Sequence, residues 1–292
     1  HEVSVVDNFT SGILDNIPAQ VAFHSVDITD RLALEAVFVE QKPDLTCHLA
    51  GQIDVRKSVE DPALDAFQNV VGSINVIEAG LAVGTKRVVF DNSGGALYGD
   101  VPPADLPVRE DYRIEPQSPY AESKYTVERY LDLYARMRGL EYTSLRLPNI
   151  YGPRQSPTGE AGVVAIFLKK MLAGEPITVF GDGQSSRDYT HVADVATAFL
   201  KCASLPGRNV FNIGTGKATT ALELAVHLSR IIGYNRVPIH APERIGEVMK
   251  TCQDATLIGE KVGWNPTLDI EHGLQQTADY YISRAHSKVD AN

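Results

Sequence analysis

The 292-residue chain has only three cysteines, Cys47, Cys202 and Cys252, and they lie far apart. An odd, scattered set with no CxxC pair excludes a redox dithiol, a disulfide framework and a zinc site of ordinary spacing. Such cysteine usage points to a reducing compartment, the cytoplasm by default. No basic cluster stands against the formal charge of −10, which argues against a nucleic-acid surface or an anionic membrane as partner. A few placed arginines can still hold a small anion in an acidic protein. No apolar run approaches the roughly 20 residues of a membrane span. Internal repeats and low-complexity tracts are missing too, and no metal site is expected.

What remains is an ordinary globular composition, 43% hydrophobic and 22% charged, on a chain long enough to bury a large core. Strand and helix patterns alternate. The strands are "EVSVVD", "VAFHSVDITD", "DLTCHLA", "KRVVFDN" and "EYTSLRLPN"; between them lie the helices "RLALEAVFVEQ", "DPALDAFQNVVGSINVIEAGLAVG" and one from Tyr120 to about Arg138. This alternation predicts an α/β fold, a Rossmann-type parallel sheet with helices on both faces. After Tyr151 the texture changes to the Gly- and Pro-rich loop "GPRQSPTGEAG", the helix "VVAIFLKKMLAG", the strand "ITVF" and two late helices, Ala221–Ile232 and Ile270–Ser283. The expected division is a nucleotide-binding domain over 1–150, to which 190–214 returns. A smaller α/β substrate domain over 151–189 and 215–292 completes it.

Ligands of open parallel sheets bind beyond the carboxyl ends of the strands, and the polar residues collect there. Asp7 ends the first visible strand, where a dinucleotide fold places a carboxylate on the ribose hydroxyls; an Asp that merely opens a turn would look the same. In "HLAGQ", the small Ala50 and Gly51 would let a cofactor pass close to the backbone. Ser93 falls at the tip of the fourth strand in "FDNSGGALYG", although a glycine-rich turn can contain a serine by accident. Tyr120 opens the next helix in "SPYAESKY" and Lys124 follows one turn later on the same face.

The chemistry of these three residues fits together. A free phenol with a pKa near 10 is a poor base at neutral pH. A neighbouring lysine ammonium favours the phenolate, as does the positive ring of an oxidised nicotinamide. Tyr120 could then take a hydroxyl proton while hydride leaves the same carbon, with Ser93 sharing the hydrogen bond.

With these residues in place the chain resembles the extended short-chain dehydrogenase/reductase superfamily, and within it the nucleotide-sugar epimerases of the UDP-glucose 4-epimerase type. The resemblance is carried by "VVDNFTSG", "HLAGQIDVRKSVEDP", "SGGALYG", "SPYAESKY", "NIYGPRQSPTGEAGVVAIF", "VFGDGQSSRDYTHVADVA", "FNIGTGK" and "RIGEVMKTCQDA", in the expected order over nearly the whole chain. It implies bound NAD. Asp7 and Asn8 would hold the adenosine ribose, Ser11 and Gly12 would also bind the cofactor, and Asp27 and Ile28 would lie near adenine. Leu49, Ala50, Gly51, Gln52 and Asn69 would line the cofactor, and Lys124 would reach the nicotinamide ribose. Ser93, Tyr120 and Lys124 would be catalytic, with Tyr120 also touching the cofactor and Ser93 and Tyr120 touching the substrate. For the UDP-sugar, Asn149, Arg187 and Arg244 would meet the diphosphate, Val163 and Val164 would enclose uracil, and Tyr189 and Glu247 would complete the nucleotide site. The resemblance further implies a homodimer through a four-helix bundle.

Two features depart from that pattern. The first strand and the GxxGxxG diphosphate loop, roughly 25 residues in the family, are absent before His1. Asp91 and Asn92 precede Ser93, where relatives carry small hydroxyl residues.

The reaction follows by elimination among relatives. Dehydratases need an Asp–Glu pair after the catalytic hydroxyl; this chain has Gly94, Gly95 and Ala96, none able to act as acid or base. The expected reaction is therefore NAD-dependent 4-epimerisation of a UDP-hexose through a 4-keto sugar. Thr251 and Cys252 replace a bulky tyrosine found in some relatives and would leave room for N-acetylhexosamines. A UDP-glucuronate epimerase, another NDP-sugar 4-oxidoreductase and a non-catalytic NAD-binding protein are the alternatives. Asp7 would repel the 2′-phosphate of NADP.

Overall fold

The computed structural model describes residues 1–158, 162–243 and 248–289. It is an α/β structure that divides into two compact units: His1–Leu97, Pro116–Arg146 and Phe199–Phe211 form the first, and Tyr98–Glu115, Leu147–Ala198 and Asn212–Asn292 the second.

In the first unit, strands Ser4–Asp7 and Ala22–Ser25 pair in parallel, Asp7 opposite Ser25. A four-stranded sheet runs in the order Leu45–His48, Arg87–Ser93, Glu141–Leu147, Arg208–Asn212. Leu45–His48 and Arg87–Ser93 are parallel, with His48 opposite Phe90. The first two strands, expected within one parallel sheet, pair with each other as a two-stranded sheet, and the other four form the four-stranded one. Val88, Phe90, Leu140 and Tyr142 of the sheet pack against Ile77, Val127 and Leu131 of two helices. A second cluster joins Leu34 and Phe38 to Val76 and Ala79. Burying each such side chain contributes about 1.5–3 kcal/mol, and the resulting rigidity fixes the strand ends that carry the polar residues.

Local signals account for the helix boundaries. Asp30 caps Arg31–Gln41 by accepting from the Ala33 N–H at 3.1 Å. Pro119–Arg138 starts where the Ser118 hydroxyl accepts from the Ala121 N–H at 3.2 Å, with proline in its first turn. It stops at Gly139, whose φ of 71° closes the last turn. The long helix read over "DPALDAFQNVVGSINVIEAGLAVG" is interrupted: Pro62–Ala66 and Gly72–Val83 are α-helical, and Phe67–Val71 between them is a π turn. Such turns insert one residue and re-aim a side chain, here Asn69. At 22 residues, Pro62–Val83 is long and apolar enough to cross a membrane by length and composition. Asp65 and Asn69 on it are buried, Ile77 packs with the sheet, and Val76 and Ala79 pack with helix Arg31–Gln41, while Leu64, Phe67 and Val71 are exposed.

In the second unit, Asn149–Tyr151 lies parallel to Ser186–His191, which pairs antiparallel with Ala218–Thr220. Ile239–Ala241 lies parallel to Thr178–Phe180. The core gathers Val164, Phe167, Leu168 and Met171 from helix Val163–Leu172, Leu224 and Leu228 from Ala221–Ile232, and Leu274 and Ala278 from Ile270–Val289. Ala221–Ile232 starts on a capping box between Thr220 and Glu223.

Candidate active site

The helix Pro119–Arg138 turns one face inward, and Lys124, Glu128 and Leu131 on it are all buried. Tyr120 stands one turn before Lys124 on this face, so the pair is not on the wet side of the helix. Ser93 ends the adjacent strand Arg87–Ser93, and its hydroxyl lies close enough to the Tyr120 phenol to favour the ionised form. Strand and helix therefore bring two of the three expected catalytic groups together.

Lys124 goes elsewhere. Its Nζ donates to the Asp91 carbonyl at 2.7 Å and lies 3.8 Å from Asp91 Oδ2. The same ammonium sits 4.9 Å from the centroid of the Phe90 ring. The sequence leads us to expect this charge, together with a bound nicotinamide, to lower the Tyr120 pKa. The phenol is pushed up, first by burial, then by the negative charge of Asp91 and, less, of Asp65, with only the Ser93 hydroxyl opposing. Burial likewise raises the Asp91 carboxyl, with Lys124 pulling it back.

Beneath the strand tip lies a buried polar network. Asn92 accepts from the Ser93 N–H at 2.8 Å and donates to Glu128 at 2.8 Å and to the Ser144 hydroxyl at 3.2 Å. Glu128 also accepts from Ser144 at 2.7 Å and from Arg146 through Nε at 3.1 Å and Nη2 at 2.6 Å. The Asp91–Asn92 departure thus has a physical content: Asn92 anchors the backbone of Ser93 to an internal ion pair.

The expected cofactor residues form two connected groups. Asp7 ends its strand, accepting from the Phe9 N–H at 2.6 Å. Asn8 donates to Asp27 at 2.7 Å. Although burial pulls the other way, hydrogen bonds from Thr29 and Asn8 hold the Asp27 carboxyl below its usual range. A side chain at Gly12 would place Cβ 2.9 Å from both Asp7 oxygens, so only glycine leaves that carboxylate accessible. Ser11 is exposed in the same turn, and the Ile28 carbonyl accepts from Asn75 at 3.0 Å.

The second group surrounds Asn69. Its carboxamide accepts from the Gln52 N–H at 2.8 Å and donates to the Gln52 carbonyl and to Asp65, both at 3.0 Å. A Cβ at Gly51 would stand 2.6 Å from Asn69 Oδ1. Gln52 donates to Asp65 at 2.9 Å and the Ser123 hydroxyl does so at 2.6 Å. Asp65 therefore ties the Gly51–Gln52 loop to the helix that carries Tyr120 and Lys124. Leu49 is exposed and Ala50 half-buried on that loop. His48 beside it is bonded to Ser73 at 2.8 Å, and burial, with the Lys124 charge second, lowers its pKa to about 3, so it is neutral. The small residues at 12 and 51 and the polar groups they expose fit a dinucleotide.

Sequence reasoning missed Asp65, Ser123 and Asp91 as members of this region. Only Asp91 left a signal, as an acid where a small hydroxyl was expected. Asp65 and Ser123 look like solvated helix positions until the helices are docked.

In the second unit, Asn149 pairs directly opposite Tyr189 across two parallel strands, so these two expected substrate residues are neighbours. Arg187, two residues earlier, donates to the carbonyls of Ser186 at 3.0 Å and Met249 at 3.3 Å. Val164 and Tyr189 have side chains in the unit's hydrophobic core, with Val163 packed against it. Any contact from Val163 and Val164 would come through the helix-start backbone. Arg244 and Glu247 lie outside the described residues. Cys252 is a buried thiol pushed up to about 12, by burial first and then by Asp188, 3.9 Å away; it is no nucleophile.

The NAD-dependent epimerase/dehydratase family matches over residues 1–214. The UDP-glucose 4-epimerase of Mycolicibacterium smegmatis is 38% identical over 291 residues, covering 98% of this chain and 92% of that protein. The crystal structure of UDP-glucose 4-epimerase from Thermotoga maritima with UDP-glucose superposes with a TM-score of 0.95 at 42% identity, covering 98% and 92% of the two chains. That of the Thermus thermophilus UDP-glucose 4-epimerase in complex with NAD gives 0.90 at 38% identity, covering 96% and 91%.

Proposed function

The chain belongs to the NAD-dependent epimerase/dehydratase family, and from that premise we propose that it is a UDP-hexose 4-epimerase that keeps NAD bound. The single observation that carries the reaction type is the Ser93–Tyr120 contact at a strand tip followed by Gly94, Gly95 and Ala96. It offers Tyr120 as proton acceptor and no acid or base side chain at the three positions after Ser93, where dehydration needs an Asp–Glu pair.

When bound, NAD+ supplies the acceptor that takes hydride from C4 of the sugar and returns it to the opposite face. Asp7 and Asn8 would hold its adenosine ribose, and the Gly51–Asn69 group would line its other half. Tyr120 would take the C4 hydroxyl proton and give it back, so the proton balance closes within one turnover. Ser93 would share that hydrogen bond and favour the phenolate by donating to it. In the second unit, Arg187 and Asn149 would hold the diphosphate, as charge-assisted and neutral donors respectively. Arg244 and Glu247 keep in this reading the roles that the resemblance implies.

The test is twofold. Denatured, purified protein is expected to release one NAD per chain, and the native protein to interconvert UDP-glucose and UDP-galactose. UDP-N-acetylglucosamine is the second substrate to try, since Thr251 and Cys252 are small. NAD retention without turnover of either sugar would sink the epimerase reading; good turnover of UDP-glucose alone would remove the N-acetylhexosamine part. UDP-glucuronate would need an extra cation for its carboxylate. In "RQSPTGEAG" only Arg154 could supply one.

We also propose a cytoplasmic homodimer. On helix Pro62–Val83, Leu64, Phe67 and Val71 are exposed at i, i+3 and i+7, beside Val55 and Val59, a stripe suited to a helix of a second copy. Sedimentation at micromolar concentration is expected to give twice the 31.8 kDa chain mass; a monomer would remove this proposal.

A further inference from the structure

Tyr120 and Lys124 stand among carboxylates that the proposed reaction does not use. Asp91, two residues before Ser93, turns two acceptors toward Lys124: its carbonyl at 2.7 Å and its carboxylate at 3.8 Å. The Lys124 side chain is 4% exposed and that of Asp91 25%, so water screens this pair less than a surface one.

The charged and titratable groups around the pair come from every packed element. His48, from strand Leu45–His48, is neutral. Asp65, from helix Pro62–Ala66, bears on the Tyr120 phenol and has Ser123, Asn69 and Gln52 as donors, all neutral. Glu128, on the same helix as Tyr120, is matched by Arg146 of strand Glu141–Leu147. Among the described residues that leaves one cation, Lys124, and two carboxylates, Asp91 and Asp65, to bear on the ionisation of Tyr120. The cation is held by one of the anions.

We propose that Asp91 is a positioning residue: by pairing with Lys124 it withholds the ammonium from Tyr120 and so sets the pH at which Tyr120 can accept a proton. The inference rests on the reading of Tyr120 as the proton acceptor. A small hydroxyl at this position would leave Lys124 free to favour the phenolate. The carboxylate both consumes that charge and adds its own repulsion, and the direction of the Tyr120 shift agrees. The sign is fixed by charge. Removing a negative group beside a phenol makes the phenolate easier to form, so the Tyr120 ionisation moves to lower pH.

The variant is Asp91→Asn, which keeps the shape and the backbone acceptor for Lys124. The acid limb of its kcat–pH profile for UDP-glucose is expected about one pH unit below that of the unsubstituted chain, with up to about tenfold more activity on the acid side. A readout that does not need turnover is the ultraviolet difference titration of the phenolate. The signal belonging to Tyr120, obtained by subtracting the matching Tyr120→Phe chain, is expected to begin at lower pH in Asp91→Asn. Asp91→Ser serves as the second variant should the amide unfold the protein. Coincident pH profiles and coincident phenolate onsets would overturn the proposal, since a merely structural Asp91 would alter melting temperature without moving either. A displaced phenolate onset in a chain with no epimerase activity would sink the functional reading and support this one.

Discussion

Tyr120→Phe is expected to lower kcat on UDP-glucose by about 10²- to 10⁴-fold, the range for loss of a general acid–base group, while the protein still folds and retains NAD. The phenol lies beside Ser93, whose hydroxyl favours its ionised form, and the three residues that follow Ser93 carry no acid or base side chain. The substitution removes one oxygen and leaves the ring, so the packing of the helix is untouched. Retention of NAD separates a chemical defect from a binding defect, because Asp7, Asn8, Asp27 and the Asn69 group do not touch the tyrosine hydroxyl. A variant with more than a tenth of the original kcat would exclude Tyr120 as the proton acceptor and move attention to Ser93.

Glu128→Ala is expected to be the largest stability loss of any single side-chain truncation discussed, about 3–5 kcal/mol, the cost of leaving a buried charge without its partner. Both side chains of the pair are almost fully buried, 6% exposed for Arg146 and 7% for Glu128. Truncation takes the Glu128 carboxylate from the buried Arg146 guanidinium and strips one acceptor each from Asn92 and Ser144. Removing both charges at once, Glu128→Leu with Arg146→Met, is expected to recover most of that loss, since two buried apolar groups need no desolvation to be offset. Denaturant titration of the single and double variants measures both. A loss under 1 kcal/mol for Glu128→Ala would mean that water or another group already satisfies Arg146. The network also reaches the site: Asn92 holds the Ser93 N–H, so Glu128→Ala is expected to lower kcat along with stability.

The two predictions draw on different layers of information. Tyr120 and Lys124 were legible because a helix with a Ser118–Pro119 start fixes which residues share a face, and 3.6-residue periodicity places them one turn apart. Ser93 was legible because a strand ending in a glycine-rich turn puts its last residue at the sheet edge. The helix Ala221–Ile232 was readable to its last residue from Thr220, Glu223 and Gly233. These are local rules, and neighbouring residues suffice to apply them.

The short strands Asn149–Tyr151, Ala218–Thr220 and Ile239–Ala241 were not read, since three residues carry no period of their own and exist only through their partners. The π turn at Phe67–Val71 was hidden for a similar reason: its residues lie between two helical runs without a break in the pattern, and the inserted residue is stabilised by what Asn69 reaches.

The sequence by itself determined the alternating α/β architecture, the strand-tip location of Asp7 and Ser93, and the shared face of Tyr120 and Lys124, because each depends on periodicity and turn chemistry over a few residues. Only the tertiary structure decided where the charges go. Whether Lys124 serves Tyr120 or Asp91, whether Asp65 faces water or the catalytic helix, and whether Glu128 is a surface acid or half of a buried pair all depend on distances between segments far apart in the chain. Coulomb interactions and desolvation act through space and have no sequence period by which they could be read.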